Sequence, residues 1–170
     1  MLPGVIVLTG NPGCGKTTLA NKIKDYLEEK ERFSFSGYRT FFSDEQDGKR
    51  YLRCQTVNST NESFCIAEQV MKPYRRIVPF LESFGRMSQI LERVDPRNAI
   101  FIDEIGFLET LHDQLQQSIL KVLTHRKNGI AVLRTGGSLF LQKLMNLYSL
   151  SAIRVTESNR ESVFIELLNR

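Results

Sequence analysis

Apolar residues along the chain follow two periods, and the alternation between them predicts a fold before any chemistry is considered. Val5-Ile6-Val7-Leu8, Asn98-Ala99-Ile100-Phe101-Ile102, Ile130-Ala131-Val132-Leu133 and Ala152-Ile153-Arg154-Val155 are short, mainly apolar runs, the pattern of buried strands. Between them apolar positions step by three and four. Leu19, Ile23 and Leu27 predict a helix over roughly 16–31. Phe80, Phe84, Met87, Leu91 and Val94 predict a second, ended by Asp95-Pro96, and Leu108, Leu111, Leu115, Ile119 and Val122 a third, stopped by Asn128-Gly129. Gly136-Gly137 turns the chain into a helix near 138–147. A last helix carries Val163, Phe164, Leu167 and Leu168, and Ser158-Asn159-Arg160-Glu161 matches a capping box at its start. Strands alternating with helices predict an α/β fold of three layers around a mostly parallel central sheet.

One stretch breaks the alternation. Phe33-Ser34-Phe35-Ser36-Gly37-Tyr38 alternates as a strand does, Asp47-Gly48 is a strong hairpin turn, and Tyr51 to Val57 reads as the returning strand. Asn58-Ser59-Thr60-Asn61 is a further turn, and Phe64-Cys65-Ile66 a short third strand. An antiparallel hairpin over 33–57 is therefore expected as an insertion after the first helix.

Two of the predicted strands end on chemistry. The first runs into Gly10-Asn11-Pro12-Gly13-Cys14-Gly15-Lys16-Thr17, which fits G-x-x-x-x-G-K-[ST], and a helix follows at once. Strand, glycine-rich turn and helix make a phosphate-binding loop: inward-facing amides and the helix N-terminus attract an anion. In that arrangement Lys16 reaches the β- and γ-phosphates, and the Thr17 hydroxyl ligates Mg²⁺. The strand over 98–102 ends on Asp103-Glu104. Two acids at the end of a buried strand are costly unless a cation or proton transfer occupies them. Asp103 is the candidate for magnesium, usually through water, and Glu104 for orienting or deprotonating an attacking water. Both segments fall at the carboxyl ends of their strands, where ligands of such sheets bind.

Composition narrows the setting. The 170 residues suit one domain, 1–170, and 41% hydrophobic with 25% charged residues is an ordinary globular balance. A net charge of +4 favours polyanionic nucleotides but does not by itself argue for nucleic acid. No apolar run approaches a membrane span, and no signal-peptide pattern opens the chain, so a cytoplasmic location is the expectation. Cys14, Cys54 and Cys65 show no metal spacing and read as free thiols. Cys14 stands apart, because among inward-facing amides beside Lys16 its modification would block the phosphate site. His112 and His125 read as solvated surface residues. Lys72, Arg75 and Arg76 beside Tyr74 form a small basic cluster, first a solvated face and second an RNA or protein contact. Arg134, at the end of a strand, and Arg160, opening the last helix, are candidate arginines for the transition state.

The segments Thr9 to Thr18, Asp103-Glu104-Ile105-Gly106-Phe107-Leu108-Glu109 and Val155-Thr156-Glu157-Ser158-Asn159-Arg160 together resemble a family of small P-loop nucleoside-triphosphatases described from thermophiles. Its patterns are T-G-x-P-G-x-G-K-T-T, D-E-I-G-x-M-E and V-T-x-x-N-R. Gly37-Tyr38-Arg39-Thr40 and Gly48-Lys49-Arg50 are similar to its G-F-x-T and G-x-R hairpin, so the resemblance spans the chain. It implies a RecA-like core and slow hydrolysis of several nucleoside triphosphates with little base preference. It also implies nucleotide-site roles for Gly10, Asn11, Pro12, Gly13, Cys14, Gly15, Lys16, Thr17 and Thr18, and it makes Asn159 and Arg160 candidates. The chain departs from the family where Phe41-Phe42 replaces acids, Tyr51-Leu52 replaces Gly-Phe, and Leu108 replaces Met.

Three classes follow. The first is a Mg²⁺-dependent nucleoside-triphosphatase acting on ATP, GTP, CTP and UTP. The second, a small-molecule or nucleotide kinase on the same loop, needs an acceptor pocket and usually an arginine-rich lid, and no lid insertion stands out. The third is a nucleic-acid-linked module activated by a partner, suggested only by the basic cluster.

Overall fold

The computed structural model describes residues 4–57, 62–71, 73–149 and 151–169. The expected turn over 58–61 and Lys72 lie outside them. One eight-stranded sheet runs through the chain. Its parallel part comprises β1 (Val5–Gly10), β2 (Phe35–Phe42), β6 (Ala99–Ile105), β7 (Gly129–Arg134) and β8 (Ile153–Arg154), in the spatial order β2-β6-β7-β1-β8. The central strands β1, β6 and β7 are the unbroken apolar runs. They are covered on both faces, which is why they carry almost no polar alternation.

Two apolar layers flank that sheet. On one side Leu19, Ile23 and Leu27 of α1 (Lys16–Glu31) pack with Ile6, Leu8, Phe101 and Val132, and Val163 of α5 (Arg160–Leu168) joins them. On the other, α2 (Leu81–Glu92), α3 (Asp113–His125) and α4 (Leu139–Leu147) deliver Phe84, Met87, Leu115, Ile119, Phe140 and Leu144 onto Val7, Ile100 and Ile102. Odd and even residues of β1 therefore enter different layers, as strand pleating requires. The expected three-layer α/β architecture is the one observed.

The insertion is larger than a hairpin. β3 (Lys49–Val57), β4 (Ser63–Val70) and β5 (Arg76–Pro79) extend the sheet antiparallel beyond β2. Asp47 and Gly48 make the β2–β3 turn with φ of 51° and 72°, as that dipeptide requires. The Arg76–Pro79 strand carries no alternation of its own, and Phe80 proves to be the residue before α2 rather than its first buried position.

Other local expectations are also revised. The stripe from Leu108 to Val122 is not one helix: a 3-10 turn, Leu108–Leu111, comes first, and α3 begins after His112. His112 is not merely solvated, because its Nδ1 accepts the Leu115 amide at 3.3 Å and caps α3. No capping box forms at Ser158. Glu161 instead pairs with Lys22 of α1 at 2.6 Å, and Asn159 takes the N-cap position without a side-chain cap. The ion pair joins two helices of one layer, so a contact between elements outweighs a local one.

Candidate active site

Sheet register sets the site. Gly10 at the end of β1 lies opposite Arg134 of β7, while Asp103 of β6 lies opposite Val132 on one side and Arg39 of β2 on the other. Because β7 stands between β1 and β6, the glycine loop and the acidic pair are about 10 Å apart at the backbone. That gap is bridged from above by the first turn of α1.

Gly15 enters that helix at φ 92°, a left-handed conformation that favours glycine. The first amides of the helix have no intrahelical acceptors and are the groups such a loop offers to an anion. Inside it, Lys16 is buried, and its ammonium donates to the carbonyls of Gly10 at 3.1 Å and Asn11 at 3.0 Å. Asn11, Pro12, Gly13, Thr17 and Thr18 are exposed around the loop. Cys14 is buried in the apolar layer that holds Leu19 and Val155, with its Sγ close to Gly10.

One turn of helix carries Thr17 to Asp103. The Thr17 hydroxyl donates to Asp103 Oδ1 at 3.1 Å. The other carboxylate oxygen, Oδ2, is buried with no hydrogen-bond partner. The Asp103 carboxyl is raised to about 6, chiefly by burial and also by adjacent Glu104, against the opposing Thr17 hydrogen bond, Lys16 and Arg39. An orphaned, buried carboxylate oxygen beside a hydroxyl is the donor set that suits a hard divalent cation.

Glu104 extends the edge toward solvent, with its side chain 29% exposed. Its amide donates to Thr40 Oγ1 of β2 at 3.3 Å, and its carboxylate lies 3.9 Å from Arg134 Nε. Arg134 is thereby brought to the acidic pair. Arg160 arrives from the opposite side, where its guanidinium packs over Gly15 and fills the space that a Cβ would need. Asn159 does different work: its Oδ1 accepts the Thr156 amide at 2.8 Å, and its Nδ2 donates to the Arg154 carbonyl at 2.9 Å. It shapes the loop that presents Arg160 and is not itself aimed at the phosphate cradle.

Glu109 has no role assigned from the sequence, although it ends the D-E-I-G-x-x-E pattern. It is buried, and its Oε2 accepts the Gly106 amide at 2.7 Å, which fixes the turn leaving Asp103-Glu104. Burial raises its carboxyl to about 7 against the Gly106 hydrogen bond, with Glu104 adding to the rise. Its three-residue spacing from Gly106 was the available signal. Arg39 was also unassigned, because its placement beside Asp103 depends on the β2–β6 register. A groove of about 510 Å³ flanks the glycine loop, between Asn11, Pro12 and Cys14 and the segment from Arg154 to Ser158.

A glycine cradle with a buried lysine, facing a buried acid across one intervening strand, defines a P-loop nucleotide-binding protein. The sequence model of the family described as NTPase matches residues 5–168, and the chain belongs to that family. The chain is 27% identical over 169 residues to the nucleoside-triphosphatase THEP1 of Thermotoga sp. (strain RQ2), covering 96% of this chain and 93% of that one. The enzyme of the same name from Methanocaldococcus jannaschii is 28% identical over 171 residues, covering 97% and 95%. The crystal structure of THEP1 from the hyperthermophile Aquifex aeolicus shares the fold, with a TM-score of 0.74 at 22% identity over 97% of each chain. Among the described residues no helix is long and apolar enough to cross a membrane.

Proposed function

We propose that this chain hydrolyses ATP, GTP, CTP and UTP to the diphosphate and phosphate, depends on Mg²⁺, and discriminates weakly among bases. The observation that carries the reading is the Thr17–Asp103 contact with Asp103 Oδ2 left unpartnered. Thr17 and Asp103 would hold the magnesium, whose chemistry is to neutralise charge on the β- and γ-phosphates. Lys16 and the amides of residues 13–18 bind the phosphates and keep the γ-phosphorus in place. Glu104, one residue beyond Asp103 and closer to solvent, takes a proton from water as the water oxygen bonds to the γ-phosphorus. The bond from that phosphorus to the β,γ-bridging oxygen breaks, and the diphosphate departs with the electron pair.

Arg134 faces Glu104 and Arg160 overlies the loop, so either supplies a cation in cis for the charge that develops. Weak base discrimination is supported by the lining of the groove beside the loop. Its walls are Asn11, Pro12 and the 154–158 segment, without an aromatic ring to stack on a base. Strong selection needs a buried donor–acceptor set that the wrong base leaves unpaired.

The test measures phosphate release from each of the four nucleotides without any acceptor, with Mg²⁺ and with excess EDTA. Release on Mg²⁺ alone supports the reading. No release until a small-molecule or nucleotide acceptor is added would replace it with a kinase.

A further inference from the structure

The antiparallel extension has one face that meets the nucleotide site only at its edge, where Arg39 lies opposite Asp103. Its inner face is closed, since Tyr38, Cys54 and Ile66 pack with Phe84 and Met87 of α2. The outer face follows from register. Phe41 lies opposite Arg53, Arg39 opposite Gln55, Tyr51 opposite Glu68, Lys49 opposite Val70, and Val70 opposite Arg76. Directly opposed residues point to the same side of a sheet, as do residues two apart. Arg39, Phe41, Lys49, Tyr51, Arg53 and Arg76 therefore share one surface. Phe41 is 39% and Tyr51 38% exposed, so neither ring is covered by the rest of the fold.

The charge on this surface is one-sided. Four of those six side chains are cations, against Glu68, which pairs with Lys49 at 3.2 Å. Asp25 and Glu28 of α1 line a groove that reaches Arg39 and Thr56, and Lys24 binds both acids there. Two of the arginines are anchored by neighbouring polar groups. Arg39 donates to Gln55 Oε1 at 2.8 Å with its guanidinium 5.8 Å from the Phe41 ring centre, and Arg53 donates to Ser63 Oγ at 2.9 Å. Exposed rings with fixed guanidinium groups between them on an open sheet are what stacked bases and a phosphate chain require. Tyr74 and Arg75 precede Arg76 at this edge of the sheet, and Tyr74 is 83% exposed.

We propose that the outer face of β2, β3, β4 and β5 binds single-stranded nucleic acid, with bases stacked on Phe41 and Tyr51 and phosphates on Arg53, Lys49 and Arg76. An acidic protein would meet the same charge but would not need two flat rings between the cations. The proposal does not depend on the hydrolytic reading, because Phe41, Tyr51, Arg53, Lys49 and Arg76 are separate from Lys16, Thr17, Asp103 and Glu104, and Arg39, which lies opposite Asp103, is not asked to bind the strand.

Fluorescence anisotropy with labelled 20-mers of oligo(U) and oligo(dT) tests it on the full chain. Saturable binding of either is expected, weakening as salt rises, with a slope in log K against log salt of about −0.7 per phosphate neutralised. Phe41→Ala with Tyr51→Ala should weaken binding at least about tenfold. Arg53→Ala should reduce the salt slope by about 0.7. Circular dichroism and basal phosphate release should match the parent in these variants, since all three side chains are solvent-accessible. Lys143→Ala, at an exposed position of α4, should leave binding unchanged. Tighter binding of oligo(U) would mark RNA and of oligo(dT) DNA, each a form of the same result. No binding of either oligomer at 50 mM salt would overturn the proposal. So would binding that ignores Phe41 and Tyr51 but falls equally with Lys143→Ala.

Discussion

The Thr17 hydroxyl and the Asp103 carboxylate meet at 3.1 Å across a gap of one strand, 86 residues apart in the chain. Thr17 is exposed on the first turn of α1, and Asp103 is buried at the end of β6. The pair therefore sets a solvent-facing hydroxyl against a buried carboxyl group. Asp103→Asn removes the charge but keeps the shape. We expect phosphate release to fall at least about a hundredfold, on the scale of losing a principal electrostatic group. The Mg²⁺ concentration needed for half-maximal activity should rise with it. Titrating Mg²⁺ at saturating nucleotide checks both, and parent-like Mg²⁺ dependence would remove Asp103 from the metal site.

Lys16→Ala should abolish turnover, since the ammonium now bonded to the Gly10 and Asn11 carbonyls is the charge that would bridge the phosphates. Its circular dichroism should match the parent's, because the strand and helix that carry the loop are packed by Ile6, Leu8, Leu19 and Ile23. Wild-type release rates from this variant would mean that the phosphates bind elsewhere.

Glu104→Gln separates chemistry from binding. Nucleotide affinity should be retained while kcat falls about 10²- to 10⁴-fold, the range for losing a general base. Equilibrium binding of a fluorescent nucleotide beside single-turnover hydrolysis reads the two effects independently. An unchanged kcat would exclude Glu104 as the base.

Gly15→Ala tests the loop's geometry. The residue sits at φ 92°, and a Cβ there would press on the Arg160 side chain. Strain of this kind costs about 1–3 kcal/mol. We expect a lower midpoint in chemical denaturation and weaker nucleotide binding. Removing Arg160 as well, with Arg160→Ala, should recover part of the stability by relieving the clash but not the left-handed strain.

Glu109 predicts a pH dependence. Its folded carboxyl is raised from 4.5 to about 7 by burial, so the folded protein holds this proton more tightly than the unfolded chain. The sign follows: stability from this group is greatest below pH 4.5, falls as pH rises toward 7, and stays lowest above it. The size is on the order of 3 kcal/mol. Glu109→Gln keeps an acceptor for the Gly106 amide and cannot ionise. It should therefore be more stable than the parent at pH 8 and similar to it near pH 4.5. Urea denaturation of both proteins across that range measures the difference, and parallel curves would contradict the assignment.

Much of this molecule was readable along the chain, because its defining features are local. The glycine loop needs a strand before it and a helix after it, and all three occupy residues 5–31. Asp103-Glu104 announces itself as two acids closing an apolar run, and Leu115, Ile119 and Val122 mark their helix by period alone. What tertiary structure decided depends on partners distant in sequence. The four-residue β5 exists because β4 offers it an edge, not because Arg76-Ile77-Val78-Pro79 has a pattern of its own. Ser158 loses its capping partner because Lys22, 139 residues from Glu161, attracts that carboxylate. Arg39 reaches Asp103 through a strand register that no local rule sets, and Glu109 becomes a buried acid because the turn at Gly106 folds it inward. Local propensity and periodicity set each element. Register, burial and ion pairing between elements set which side chains meet, and those energies appear only once the chain is closed on itself.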